Sequence, residues 1–95
     1  MINQEIRNRI KLSVAAYAYE LENDSVMTDA DFDSLCREIN VSESTGNEKM
    51  DNFFKTEFNP STGQWIHKHP ELDKIKIIYN KYYKSSWQTI DYLLL

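Results

Sequence analysis

The chain has 95 residues, 2 Gly, 2 Pro and a net charge of −4. That length predicts one domain, and glycine well under the usual ~7% excludes a Gly-rich phosphate loop and argues against a β-sandwich with many tight turns. Cys36 is the only cysteine, which excludes an intrachain disulfide and a cysteine-built zinc site.

The opening MINQEIRNRIKLSV carries charges where a secretory signal needs an apolar stretch. No apolar run approaches the ~20 residues of a membrane span. A soluble, cytoplasmic protein without a membrane partner is the expectation. Ile6, Ile10, Val14, Tyr17 and Leu21 recur at helical spacing and predict a first helix with one buried stripe, Arg7, Arg9 and Lys11 lying mostly off it. It should fade near Asn23–Ser25, whose short polar side chains compete for the backbone. Thr28 is placed to cap a second helix, with Asp29, Asp31 and Asp33 at the positive end of its dipole. Phe32, Leu35, Cys36 and Ile39 form its inward face.

Residues 41–47, VSESTGN, read as a surface connection. A third helix is predicted over Glu48–Phe58 with Met50, Phe53 and Phe54 inward, followed by the turn-rich FNPSTGQW. Pro70 suits the first position of a fourth helix, because the amide it lacks has no intrahelical partner there. Leu72, Ile75, Tyr79 and Tyr82 would be its stripe. Ser85 or Ser86 would end it or cap a last short helix holding Trp87, Ile90, Leu93 and Leu94. The expectation is one compact all-α domain of four to five helices, with a helical hairpin in residues 1–45 and a helical extension in 46–95. Charge divides between the halves: residues 1–48 carry 4 basic and 10 acidic side chains, residues 49–95 carry 7 and 5.

Asp29 and Asp33 stand one helical turn apart on a shared face, and Asp31 points elsewhere. Such a pair suits ribose hydroxyls or a hard cation, and equally a helix N-terminus complementing its dipole. Tyr19 lies about 160° around the first helix from the buried Tyr17, so its ring is free to stack on a planar ligand.

These residues belong to the string YAYELENDSVMTDADFDSLCREI, residues 17–39. It resembles the N-terminal Ia domain of the NAD-dependent DNA ligases, where a helix with Tyr-x-Tyr-His leads through a short loop to one opening with Asp-Ala-Glu-Tyr-Asp. Tyr17, Tyr19 and Glu20, then Asp29-Ala30-Asp31-Phe32-Asp33, match without a gap, and His69-Pro70-Glu71-Leu72 resembles a later ligase segment. The specific match covers about a quarter of the chain. The resemblance implies a helical module closing over the nicotinamide mononucleotide (NMN) half of NAD. Tyr19 and Phe32 would stack, and Asp29 and Asp33 would make polar contacts. The family histidine is Glu20 here, which brings a carboxylate towards the phosphate, and the family's second tyrosine is Phe32, which keeps the ring and loses the hydroxyl. No Lys-x-Asp-Gly string supplies the ligase lysine, so no enzymatic activity is expected.

Between Trp65 and Trp87, Lys68, Lys74, Lys76, Lys81 and Lys84 interleave with Tyr79, Tyr82 and Tyr83. That pattern fits a grip on single-stranded nucleic acid, or an amphipathic helix with solvated lysines. His67 and His69 make an incomplete transition-metal site, which usually needs three or four ligands, and read as a surface loop-to-helix position. Cys36 reads as a small core residue.

Three functions follow. The first is a non-catalytic ligase-Ia-like module that binds or inhibits a protein partner, by analogy a phage or mobile-element accessory. The second is a binder of NMN or NAD, and the third a single-stranded nucleic-acid accessory. Glu20 ranks the protein partner first. A carboxylate ~4–6 Å from a phosphate near a surface costs on the order of a few kcal/mol.

Overall fold

A computed structural model describes residues 3–84. Four α-helices run in order, α1 (Gln4–Leu21), α2 (Asp29–Glu38), α3 (Glu48–Thr56) and α4 (Leu72–Ile78). A 3-10 helix, Gln64–Lys68, precedes α4, and a π-helical turn, Tyr79–Tyr83, continues it. Among the described residues there is no strand, and the fold is all-α. The short helix anticipated around Trp87 lies outside the described residues.

Each of the first three helices starts on a side chain that accepts an otherwise unpaired amide. Asn3 accepts from Ile6 N at 2.8 Å, Thr28 from Asp31 N at 3.1 Å and Asn47 from Met50 N at 3.2 Å. α1 stops where Asn23 takes a positive φ of 52°, a conformation that asparagine tolerates better than most residues. The Asp24 amide then turns back onto the Ala18 carbonyl at 2.9 Å. Replacing Thr28 with alanine should cost about 1 kcal/mol. A urea midpoint that does not move would show α2 to be held by packing alone.

α1 is the central element, packed against by α2, the 3-10 helix, α4 and the π turn. Its seven consecutive residues Leu12–Ala18 are all buried, so the single stripe expected from periodicity is too narrow. Ser13, Ala15, Ala16 and Ala18 are small enough for neighbours to approach from every side. Leu21, expected on the stripe, is exposed at the helix end, and Ile6 and Ile10 are only partly buried. Phe53, Phe54, Phe58 and Trp65 fill the space beside α1 with ring centroids 5.3 to 6.1 Å apart, and the Trp65 indole donates to the Thr62 carbonyl at 2.7 Å. Much of the aromatic surplus is core. Cys36 is buried, and burial pushes its thiol up to about 11, as an inert core cysteine requires.

Three further details depart from the sequence expectation. α4 begins at Leu72, with Pro70 in the turn before it. Tyr82 is 70% exposed. Arg9, expected mostly off the buried face, is 4% exposed and joins α1 to α3. Its guanidinium donates to Glu5 at 2.7 Å, to Asp51 at 2.8 Å and to the Asn40 and Glu43 carbonyls at 2.8 and 3.1 Å.

Candidate functional site

The tight reversal at Asn23 lays the first turn of α2 beside the last turn of α1. Between them and residues 61–64 lies a cleft of about 320 Å³, at the small end of the range for ligand pockets. Tyr19, Glu20, Asp29, Phe32 and Asp33, the five residues singled out in the sequence, all line it. Asp31 does not, as its place on the helix requires.

Tyr19 stands at the rim, 68% exposed. Phe32 is half-buried and packs against the core from the opposite side. Gly63 lies close to Ala16 and Phe32: a Cβ there would sit 3.4 Å from Ala16 Cβ and 3.5 Å from Phe32 Cζ. The Ser25 amide bonds to the Asp24 carboxylate at 2.8 Å, and its hydroxyl to the Met27 carbonyl at 2.9 Å. Two core phenols pin the same connection. Tyr17 donates to Glu22, and Tyr79 donates to Asp24 at 2.7 Å. Burial first, and the acceptor carboxylates second, push the Tyr17 hydroxyl up to about 12 and the Tyr79 hydroxyl higher still. Both remain donors at any ordinary pH.

The second wall was not anticipated. Ser61, Thr62, Gly63 and Gln64 line it, and the 3-10 helix that follows brings His67 to Glu20, with Nε2 and Oε1 3.2 Å apart. No helical period links position 67 to position 20, so no local pattern announces this contact. The Glu20 carboxylate is thus engaged by an imidazole and does not confront the cleft bare. Asp29 and Asp33 have no such partner among the described ion pairs.

His69 corrects the surface reading of the two histidines. It is 7% exposed, its edge rests on Phe53 with centroids 5.1 Å apart, and its Nδ1 accepts from the Glu71 amide at 3.0 Å. Burial holds its imidazole down at about 4. Among the described residues no group of three or more His, Cys, Asp or Glu side chains is placed to hold a metal.

The basic-aromatic segment is only partly a surface. Trp65 and Tyr79 are buried. Lys68 pairs with Glu57 at 3.2 Å and Lys74 with Glu71 at 3.3 Å. Tyr82 is exposed, with the Lys81 ammonium 5.4 Å from its ring centroid. Trp87 lies outside the described residues. Among the described residues no helix is long and apolar enough to cross a membrane.

Comparison of the chain with protein-family models, with curated proteins and with solved structures finds no match.

Proposed function

We propose that this chain is a non-catalytic binding module, related in design to the ligase Ia domain, which holds a nicotinamide-type nucleotide in the α1–α2 cleft. The observation that supports this reading is the convergence of Tyr19, Glu20, Asp29, Phe32 and Asp33 on one cleft. Tyr19 and Phe32 offer rings at rim and wall for stacking. Asp29 and Asp33, one turn apart, offer acceptors to ribose hydroxyls. His67 Nε2 lies 3.2 Å from Glu20 Oε1, which gives that carboxylate a hydrogen-bond partner beside the cleft. A cytoplasmic setting, where such nucleotides circulate, fits the reading.

A thermal-shift titration with NMN, NAD and nicotinamide tests it. Ligand at one hundred times its dissociation constant stabilises the fold by about 2.7 kcal/mol, which in a domain of this size raises Tm by roughly ten degrees or more. Phe32→Ala should remove most of that shift. No shift at millimolar ligand would refute the nucleotide reading. A shift that survives Asp33→Ala unchanged would refute the residue assignment.

A second reading, a protein partner or inhibitor target, draws on the exposed apolar side chains Tyr19, Leu21, Ile77 and Tyr82. A phage-type accessory role belongs to that reading. Capture of one partner by the wild-type chain, lost in Tyr19→Ser, would favour it.

A further inference from the structure

We infer that the groove between α1, α3 and α4 is a second binding site, taking an uncharged, mostly apolar molecule whose carbonyl oxygen accepts from the His69 Nε2–H. This groove shares no described lining residue with the α1–α2 cleft, and its ligand is independent of what that cleft holds.

Ile6 and Ile10 of α1, Met50 and Phe54 of α3, and Ile75 and Ile78 of α4 line a groove of about 300 Å³, enough for a small organic molecule. Ile6, Ile10, Met50 and Ile78 are only half-buried. Three helices thus turn apolar side chains to one opening that the described residues leave partly uncovered. Covering that surface favours a ligand with an apolar body.

Most polar side chains on the groove are already engaged. Arg9 is bound to Glu5 and Asp51, and Lys74 pairs with Glu71 at 3.3 Å. The Ser13 hydroxyl donates to the Arg9 carbonyl and the Thr45 hydroxyl to Asp51, both at 2.7 Å. Each cation on the lining has its carboxylate, so the groove presents no unpaired charge for a charged ligand to meet.

His69 is the exception. It lines the groove and is 7% exposed. Its Nδ1 accepts from the Glu71 amide at 3.0 Å. An imidazole that accepts through Nδ1, and that burial keeps neutral, carries its proton on Nε2. That nitrogen is buried and has no hydrogen-bond partner among the described residues. Buried donors without an acceptor destabilise a fold, and native structures hold few of them. A carbonyl oxygen entering the groove supplies the acceptor. A carboxylate would also accept, but it would give up its hydration among apolar side chains whose neighbouring cations are already paired.

NMR titration of the full chain at pH 7 compares three molecules of similar size. These are acetophenone, isopropylbenzene, in which a methyl group replaces the carbonyl oxygen, and benzoate. The hydrocarbon is the more hydrophobic, so the decisive comparison is how each responds to His69→Phe, which keeps a ring and removes the donor. Acetophenone affinity should fall about fivefold or more, the equivalent of one net hydrogen bond, while that of isopropylbenzene stays within about twofold. Acetophenone should move the His69 Nε2–H proton downfield, and both ligands should shift the Ile10 and Ile78 methyls. Ile10→Trp, which fills the groove, should abolish both responses, with Tm as the folding control for each variant. Should His69→Phe not fold, the Nε2–H signal and Ile10→Trp decide the matter. An equal change for ketone and hydrocarbon in His69→Phe would overturn the inference, since the donor would then not be recognised. Benzoate binding more tightly than acetophenone would overturn the choice of an uncharged ligand. No response at millimolar ligand would overturn the site itself, as would contacts in the free chain from the Ile10 and Ile78 methyls to residues 85–95 or to a second copy.

Discussion

Truncation of Arg9 to alanine is expected to remove about 3–5 kcal/mol of folding stability, the range measured when one member of a buried ion pair is deleted. A small domain with a total of ~5–15 kcal/mol would be brought close to unfolding. The reason is the number of groups that Arg9 satisfies. Its loss leaves Glu5 and Asp51, both buried, without their cation, and the Asn40 and Glu43 carbonyls without a donor. Replacing the carboxylates with apolar groups would not rescue the loss. The Asn40 amide depends on Glu5, at 3.0 Å, and the Thr45 amide and hydroxyl depend on Asp51, at 3.0 and 2.7 Å. Urea unfolding measures the effect, and a loss under about 1 kcal/mol would show that the network is dispensable. The same contacts have a pH signature. The Thr45 hydroxyl and amide first, then Arg9, hold the Asp51 carboxyl below its usual range. That stabilisation is complete above the unfolded value of ~3.9 and is lost as pH falls through the lower folded value.

The second large effect is a loss of stability in mild acid, centred on His69. Its folded imidazole is held at about 4 by burial, whereas the unfolded chain takes up the proton near ~6.5. Protonation therefore favours the unfolded state. The native contribution is complete above ~6.5 and is lost progressively as pH falls towards about 4, where it amounts to roughly 3 kcal/mol. Urea unfolding at pH 7 and pH 4.5 should show most of this loss in the wild type and little of it in His69→Gln. A wild-type stability that is flat over that interval would mean that His69 takes its proton without unfolding.

The parts of this molecule that could be read from the sequence are those fixed by near neighbours. Thr28 caps α2 because its hydroxyl reaches an amide three residues on, an interaction written entirely within 28–31. The five cleft residues fall within 19–33, and one tight reversal at Asn23 suffices to bring them together. Whether they bind a nucleotide is a separate question, answered by the titrations. What escaped the sequence is what distant segments impose. Arg9 looks like a solvent residue until residues 40–51 supply its acceptors. His69 looks exposed until Phe53 closes over it. Tyr82 continues a stripe of helical spacing, but the backbone changes period first. The Lys84 amide bonds to the Tyr79 carbonyl at 2.8 Å, five residues back, and that π turn carries Tyr82 out of phase into solvent.

The burial of the Leu12–Ala18 run of α1 on all sides has a consequence for the order in which the chain is made. Synthesis runs from the N-terminus at roughly 5–20 residues per second, so α1 leaves the ribosome before any of its partners. Tyr79, which meets Tyr17 at a ring distance of 5.5 Å, follows about sixty residues later. Until then the cover of Leu12, Val14 and Tyr17 is incomplete. Among the described residues the latest-made helical segments complete the surroundings of α1, and a nascent protein stalled before Tyr79 would display part of an apolar helix to whatever chaperone is nearest.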